Sequence, residues 1–177
     1  MALATLLHLG NAIRSLDPQT NPSQALKCRI VDYINPTTGV PEGHQMQVFL
    51  YNATGGALTQ YATYEFSYDG DEETNFNVIT CATATPPRDI VVATAATAAA
   101  TWDWFVVCGY TQCGVEGTTD VAKDDFLKLT SGTSAVAFIK DGTTYTTSSH
   151  AQATEAQAAN SVVNIKVFLL GGEHLIA

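Results

Sequence analysis

From about residue 25 onward, short apolar or alternating runs separated by turn residues set the pattern of the chain. That period-two pattern predicts β-strands. Leu26 to Tyr33 reads as a first strand, ended by Asn35-Pro36, because a residue before proline is held out of most regular continuations. His44 to Tyr51 follows, then Gly55-Gly56 turns the chain into Gln60 to Tyr68. The acidic stretch Asp69 to Glu73 separates that run from Asn75 to Ala82, and Pro86-Pro87 precedes Ile90 to Ala95. Trp102 to Tyr110 is the strongest apolar run, followed by Phe126 to Thr130 and Ala135 to Lys140. Asp141-Gly142 carries the signature of a type I′ hairpin turn.

The segment from His150 to Asn160 is open between two readings. Its alanines favour a short helix, whereas alternation of Ala151, Ala153 and Glu155 with Gln152 and Thr154 suits a strand paired with the last one. Val162 to Leu170 closes the chain as a strand, with Val163, Ile165, Val167 and Leu169 on one face. The expected fold is therefore all-β, a single β-sandwich (jelly-roll-like) or barrel over residues 25–177. Residues 1–24 stand apart as an N-terminal arm. Leu3, Leu6, Leu7, Leu9 and Ile13 make an apolar anchor, followed by a Pro/Asn/Gln-rich stretch from Asp17 to Gln24. An ordinary first helix packed on its own domain is the other reading of this segment.

Charge narrows the range of partners. Eight basic against 17 acidic residues give a net charge of −9, with no basic run, which argues against nucleic acid as a partner. No window approaches the ~20 apolar residues of a membrane helix, and the start lacks the positive region of a signal peptide. Neither a membrane nor secretion is expected. The four cysteines, Cys28, Cys81, Cys108 and Cys113, read as thiols in a reducing compartment, with a Cys108–Cys113 bridge left open. Asn52-Ala53-Thr54 fits a glycosylation sequon and reads as a turn.

Candidate chemistry is sparse. There is no Gly-x-Ser-x-Gly elbow, no phosphate loop ending Gly-Lys-Ser/Thr and no Gly-x-Gly-x-x-Gly. The histidines, His8, His44, His150 and His174, fall in no catalytic motif. The Cys108/Cys113 gap is not a zinc knuckle. Asp69, Asp71 and Glu73 alternate as in a calcium loop, but glycine falls at the second position and Thr80 at the twelfth, so a solvated turn is expected. No enzyme, cofactor or metal is expected. Trp102 and Trp104 lie on a run apolar on both faces, which reads as central core. Their rival role is an exposed stacking surface for sugar rings, shared with Tyr61, Tyr64 and Tyr68.

From Trp102 onward the residues carry a resemblance. The run Trp102 to Tyr110 (WDWFVVCGY) precedes Gly117 to Leu129 (GTTDVAKDDFLKL), Ala151 to Ala156 (AQATEA) and Val162 to Gly171 (VVNIKVFLLG). These Thr/Ala/Gly-rich, charge-poor strands resemble the small auxiliary head proteins of tailed bacteriophages, which decorate or cement capsids. The resemblance spans residues 100–171 and carries no functional position across. It implies a structural virion protein on the outer capsid surface, assembled in the host bacterial cytoplasm. It also implies a homo-oligomer (a trimer) bound to the major capsid protein, for which the arm residues Leu3, Leu6, Leu7, Leu9 and Ile13 are the expected docking site. The alternative is a receptor- or carbohydrate-binding module of a phage fibre.

Overall fold

The structure, a computed structural model, describes residues 27–68, 76–81, 89–117, 119–129, 137–158 and 161–171. The expected arm, 1–24, lies outside the described residues, as does the acidic stretch of residues 69–73. The described part is all-β, as the alternation predicts. Its strands in chain order are β1 (Lys27–Ile34), β2 (Pro41–Asn52), β3 (Thr63–Tyr68), β4 (Phe76–Ile79) and β5 (Ile90–Ala93). They continue as β6 (Trp102–Glu116), β7 (Phe126–Leu129), β8 (Phe138–Gly142), β9 (Ala151–Ala153) and β10 (Val162–Leu169).

The pairings close two rings that share β6. In the first, β2 pairs with β4, β4 with β3, β3 with β5, β5 with β6, and β6 back with β2. In the second, β6 pairs with β10, β10 with β9, β9 with β7, β7 with β8, and β8 back with β6. Each ring is a small five-stranded barrel whose inward positions are filled by side chains. Its closing contact is a short parallel pairing: Tyr51 and Asn52 against Asn77 and Val78 in the first ring, Val115 against Phe138 in the second.

Two apolar clusters fill these barrels. The first holds Val48, Leu50, Leu58, Tyr64, Phe76, Val78, Val91, Ala93 and Phe105. The second holds Cys113, Val115, Leu127, Leu129, Phe138, Ala151, Ala153, Ile165, Val167 and Leu169. Ile90, Val92 and Val106 also join the second cluster, although their strands belong to the first barrel. Strand β5 therefore sends alternate side chains into both cores, which explains why all four of its residues are apolar and buried.

Strand β6 runs 15 residues, well beyond the expected Trp102 to Tyr110, because it serves both barrels. Where it passes from one to the other, the β2 ladder slips between Met46/Cys108 and Gln47/Val106. Gly109 sits at that crossing with φ +95°, and a Cβ there would lie 2.4 Å from the His44 carbonyl oxygen. Beyond the crossing, the β1–β2 hairpin leans onto the second barrel. Tyr110 approaches Gly43 so closely that a Cβ on Gly43 would meet its ring at 2.4 Å.

One expectation is corrected and two open alternatives are settled. Asp141-Gly142 forms no hairpin turn: Gly142 ends β8, opposite Phe126 of β7. The Asp141 carboxylate instead ties down the following loop, accepting bonds from Thr146 Oγ1 and Ser149 Oγ and pairing with Lys128 Nζ at 3.0 Å. Of the two readings of residues 150–160, Ala151–Ala153 adopts the strand, bonded to β10 and β7. The Cys108–Cys113 bridge is excluded, because five steps along one extended strand span about 16 Å, far beyond disulfide reach. All four cysteines are free thiols. Burial pushes the Cys81 thiol up to about 12 and raises Cys113 and Cys108 as well, so these three stay protonated and inert. The sequon reads correctly as a turn. Asn52 is 1% exposed, its Nδ2 donates to the carbonyls of Gly56 and Ala98, and its Oδ1 accepts from the Thr54 amide.

Two outcomes are expected. Gly109→Ala should destabilise the fold by about 2 kcal/mol or more, since left-handed strain and a backbone clash coincide. Gly56→Ala, with open space around its Cβ, should change it by less than about 1 kcal/mol; urea denaturation of both checks the contrast. The second outcome is an acid transition. Burial alone would raise the Asp125 and Asp141 carboxyls. Lys140 and the Ala122 amide at Asp125, and Thr146, Ser149 and Lys128 at Asp141, outweigh it and hold both below the usual carboxylate range. Depressed folded values give stability that is present above the unfolded pKa of about 4 and lost as pH falls through the folded values. The urea midpoint should therefore be flat between about pH 7 and 5 and drop below about pH 4. The double variant Asp125→Asn/Asp141→Asn should start lower at neutral pH and lose part of that drop.

Candidate functional site

The alternation that sinks Val48, Leu50 and Phe105 into the first barrel turns their neighbours outward. On β2 these are Gln47, Phe49 and Tyr51, and on β6 they are Trp102 and Trp104. The register places Phe49 opposite Trp104 and Tyr51 opposite Trp102. Cross-strand aromatic contact follows from this pairing. Ring centroids lie 5.6 Å apart for Tyr51–Trp102, 5.7 Å for Phe49–Trp102 and 5.1 Å for Phe49–Trp104. Each pair contributes about 0.5–1.5 kcal/mol beyond simple burial. The four rings form a continuous strip, every one half-buried.

Strand β1 adds two cations to the strip, because Lys27 lies opposite Phe49 and Arg29 opposite Gln47. Lys27 Nζ stands 5.5 Å from the Phe49 ring centroid. The Arg29 guanidinium lies 4.0 Å over the Trp104 ring, and its Nε donates to Gln47 Oε1 at 2.8 Å. Stacking and the hydrogen bond together fix the plane of that guanidinium. Elsewhere, Lys128, Lys140 and Lys166 each pair with a carboxylate at 2.7–3.0 Å. Lys27 and Arg29 have no carboxylate partner among the described residues.

The expectation that Trp102 and Trp104 form central core is thus corrected: Phe105 and Val106 are the fully buried members of that run, and the tryptophans face outward. The run is apolar on both faces because one face is core and the other is this strip. Of the tyrosine cluster, Tyr64 is withdrawn into the core while Tyr61 is half-buried. Tyr64 is 8% exposed within the first core, and its hydroxyl accepts from the Thr59 amide; the Tyr68 side chain lies outside the described residues. The arm residues Leu3, Leu6, Leu7, Leu9 and Ile13 also lie outside them. Reasoning from the sequence missed Lys27 and Arg29: their spacing of two on an expected strand was visible, but not the aromatic run that the register sets beside them.

A second concavity of about 510 Å³ lies where the β1–β2 hairpin meets the second barrel. Tyr110 and Phe168 line it edge to face at 5.1 Å. Lys166 Nζ and Glu42 Oε2 join across it at 2.7 Å. This bond is the main reason the Glu42 carboxyl titrates below its usual range and Lys166 above its own. The pair ties the hairpin to β10, and Lys123 and Asp124 also line the cleft.

Among the described residues, no group of three or more His, Cys, Asp or Glu side chains is placed to hold a metal ion. No helix is long and apolar enough to cross a membrane among them. No protein-family model matches the chain, and no curated protein matches it. Among solved structures, the chain is similar to the N base of the head fiber gp8.5 in bacteriophage phi29. The TM-score is 0.48 at 16% identity, over 70% of this chain and 94% of that one.

Both tryptophans of the chain sit in the strip, so intrinsic fluorescence reads this site alone. Acrylamide quenching is expected to fall between that of free and core tryptophan. Arg29→Ala should raise the quenching constant roughly twofold by uncovering Trp104, at a stability cost below about 1 kcal/mol. Unchanged quenching would mean that the guanidinium does not cover the ring in solution.

Proposed function

We propose that this chain is a structural virion protein that decorates and stabilises the outer surface of a bacteriophage capsid as an oligomer, a trimer, bound to the major capsid protein, and has no catalytic role. The observation that carries the reading is β1. It pairs with β2 and with no other strand among the described residues, leaving one edge of an eight-residue strand open. Ile30 at 64% and Ile34 at 49% exposure stand on it, with Val40 at 53% beside the hairpin turn. An open strand edge bearing exposed apolar side chains is a template for strand addition by another chain. The two interlocked barrels behind it supply a stiff support, and symmetry would multiply modest contacts per copy into firm attachment. The sequence resemblance of residues 100–171 supports a capsid as the surface bound. In this reading the chain assembles in the host cytoplasm, where free thiols persist.

A second reading is favoured by one observation. The half-exposed rings of Trp102, Trp104, Phe49 and Tyr51 suit a receptor- or carbohydrate-binding module of a phage fibre.

Light scattering should give a mass about three times 18.8 kDa for the full chain, and about three times its own smaller chain mass for a version lacking residues 1–24. Ile30→Lys should weaken co-sedimentation with capsids by about tenfold or more while leaving the melting temperature within about 2 °C. A clean monomer would count against decoration and move the fibre module forward. Capsid binding unchanged by removal of residues 1–24 would sink the docking role of Leu3, Leu6, Leu7, Leu9 and Ile13.

A further inference from the structure

We infer that the aromatic strip is a binding site for an acidic polysaccharide, with Arg29 and Lys27 receiving its anionic groups and Trp102 and Tyr51 stacking on its sugar rings. The inference rests on the carbohydrate-binding reading of the strip and adds the chemical class of the ligand.

The state of Arg29 is the first argument. Trp104 beneath it and Gln47 beside it hold the guanidinium plane, with only Nε hydrogen-bonded among the described residues. The two terminal nitrogens have no carboxylate partner among the described residues. A guanidinium fixed in this way has already lost much of the freedom that binding would otherwise remove, and its fork matches a carboxylate or phosphate. Lys27 stands two residues away on the same face, also without an acidic partner.

The charge inventory is the second argument. In a chain of net charge −9, Lys128, Lys140 and Lys166 are each paired with a carboxylate, and of the described cations without such a partner (Lys27, Arg29 and Lys123) only Lys27 and Arg29 share one strand face. Two cations within an acidic whole suit a ligand with widely spaced negative groups. A nucleic acid, with a charge on every residue of its backbone, would meet the repulsion of the whole chain.

The rings supply the third argument. Tyr51 and Trp102 extend the strip away from the cations. Sugar rings present apolar C–H faces that lie flat on such side chains. Cations at one end and aromatic faces at the other match alternating anionic and ring-bearing units of a glycan. Carboxylate (a uronic acid) and phosphate (a polyol phosphate) share this chemistry.

Titration of the full chain with a hyaluronan oligosaccharide (uronic acid alternating with neutral sugar), with an oligomer of alternating hexose and glycerol phosphate and with neutral cello-oligosaccharide, followed by tryptophan fluorescence, tests the inference. A saturable change is expected with at least one anionic glycan, and which of the two binds tighter identifies carboxylate or phosphate as the group recognised. Affinity should fall about tenfold between about 50 mM and about 500 mM salt. Arg29→Gln should weaken it by about tenfold and Lys27→Gln by a few-fold, with melting temperatures held. Arg29→Lys should not restore it, because an ammonium has no planar fork. Equal binding of the neutral oligosaccharide, indifferent to Arg29→Gln, overturns the inference and leaves carbohydrate binding standing. No response to any glycan overturns both. Tighter binding of poly-glutamate than of either anionic glycan overturns it in favour of an acidic protein surface.

Discussion

The two barrels depend on one shared strand. β6 delivers Phe105 to the first core and Val106, Cys113 and Val115 to the second, so neither core closes without it. Adjacent residues on a strand point to opposite faces. A strand that must fill a core on each side therefore has no free face for polar residues along the stretch where the barrels meet. β5 obeys the same constraint on a smaller scale, with Ile90 and Val92 on one side and Val91 and Ala93 on the other. The ladder slip near Met46/Gln47 and the left-handed Gly109 are where the backbone adjusts from one barrel to the next.

This arrangement also decides which parts of the fold were legible in the sequence. Strands that keep one face wet, such as β2 and β10, alternate visibly, and their positions were close to those read from the residues. The type of fold was equally legible, although a shared-strand pair of barrels has no signature in a linear pattern. Closure rests on single short pairings, such as Val115 with Phe138, that join residues distant in sequence. The misreadings have local causes. Asp141-Gly142 has the composition of a tight turn, but the carboxylate is needed to hold Thr146, Ser149 and Lys128. The stretch around Ala151 has helical composition. Tertiary pairing overrides it, because only small side chains fit at the inward positions Ala151 and Ala153, both fully buried between β7 and β10.

The site was half legible. Trp102 and Trp104 stood out as the candidates for a stacking surface, yet an apolar run cannot say which of its two faces is wet. Burial answers that: Phe105 and Val106 are fully enclosed on opposite sides, while the tryptophans fall on the stretch of β6 before the second barrel begins to cover it. The cations could not be placed from sequence, since their position over Phe49 and Trp104 depends on the β1–β2 register.

The strip and the open edge of β1 therefore share one structural origin. The β1–β2 hairpin is held at its far end by Glu42 to Lys166 and by the Tyr110 ring against Gly43. It is held along its length by the ladder to β2. Pinned in this way, β1 keeps one edge free while presenting Lys27 and Arg29 over the aromatic face of the first barrel. Ile30 points to the opposite face from Arg29 and stays exposed because β1 lies outside both closed rings. One strand thus combines an open backbone edge, Ile30 exposed on one face, and Lys27 and Arg29 over the aromatic rings on the other. The two proposed roles, attachment at the edge and ligand binding on the aromatic face, would therefore both depend on how this hairpin is pinned.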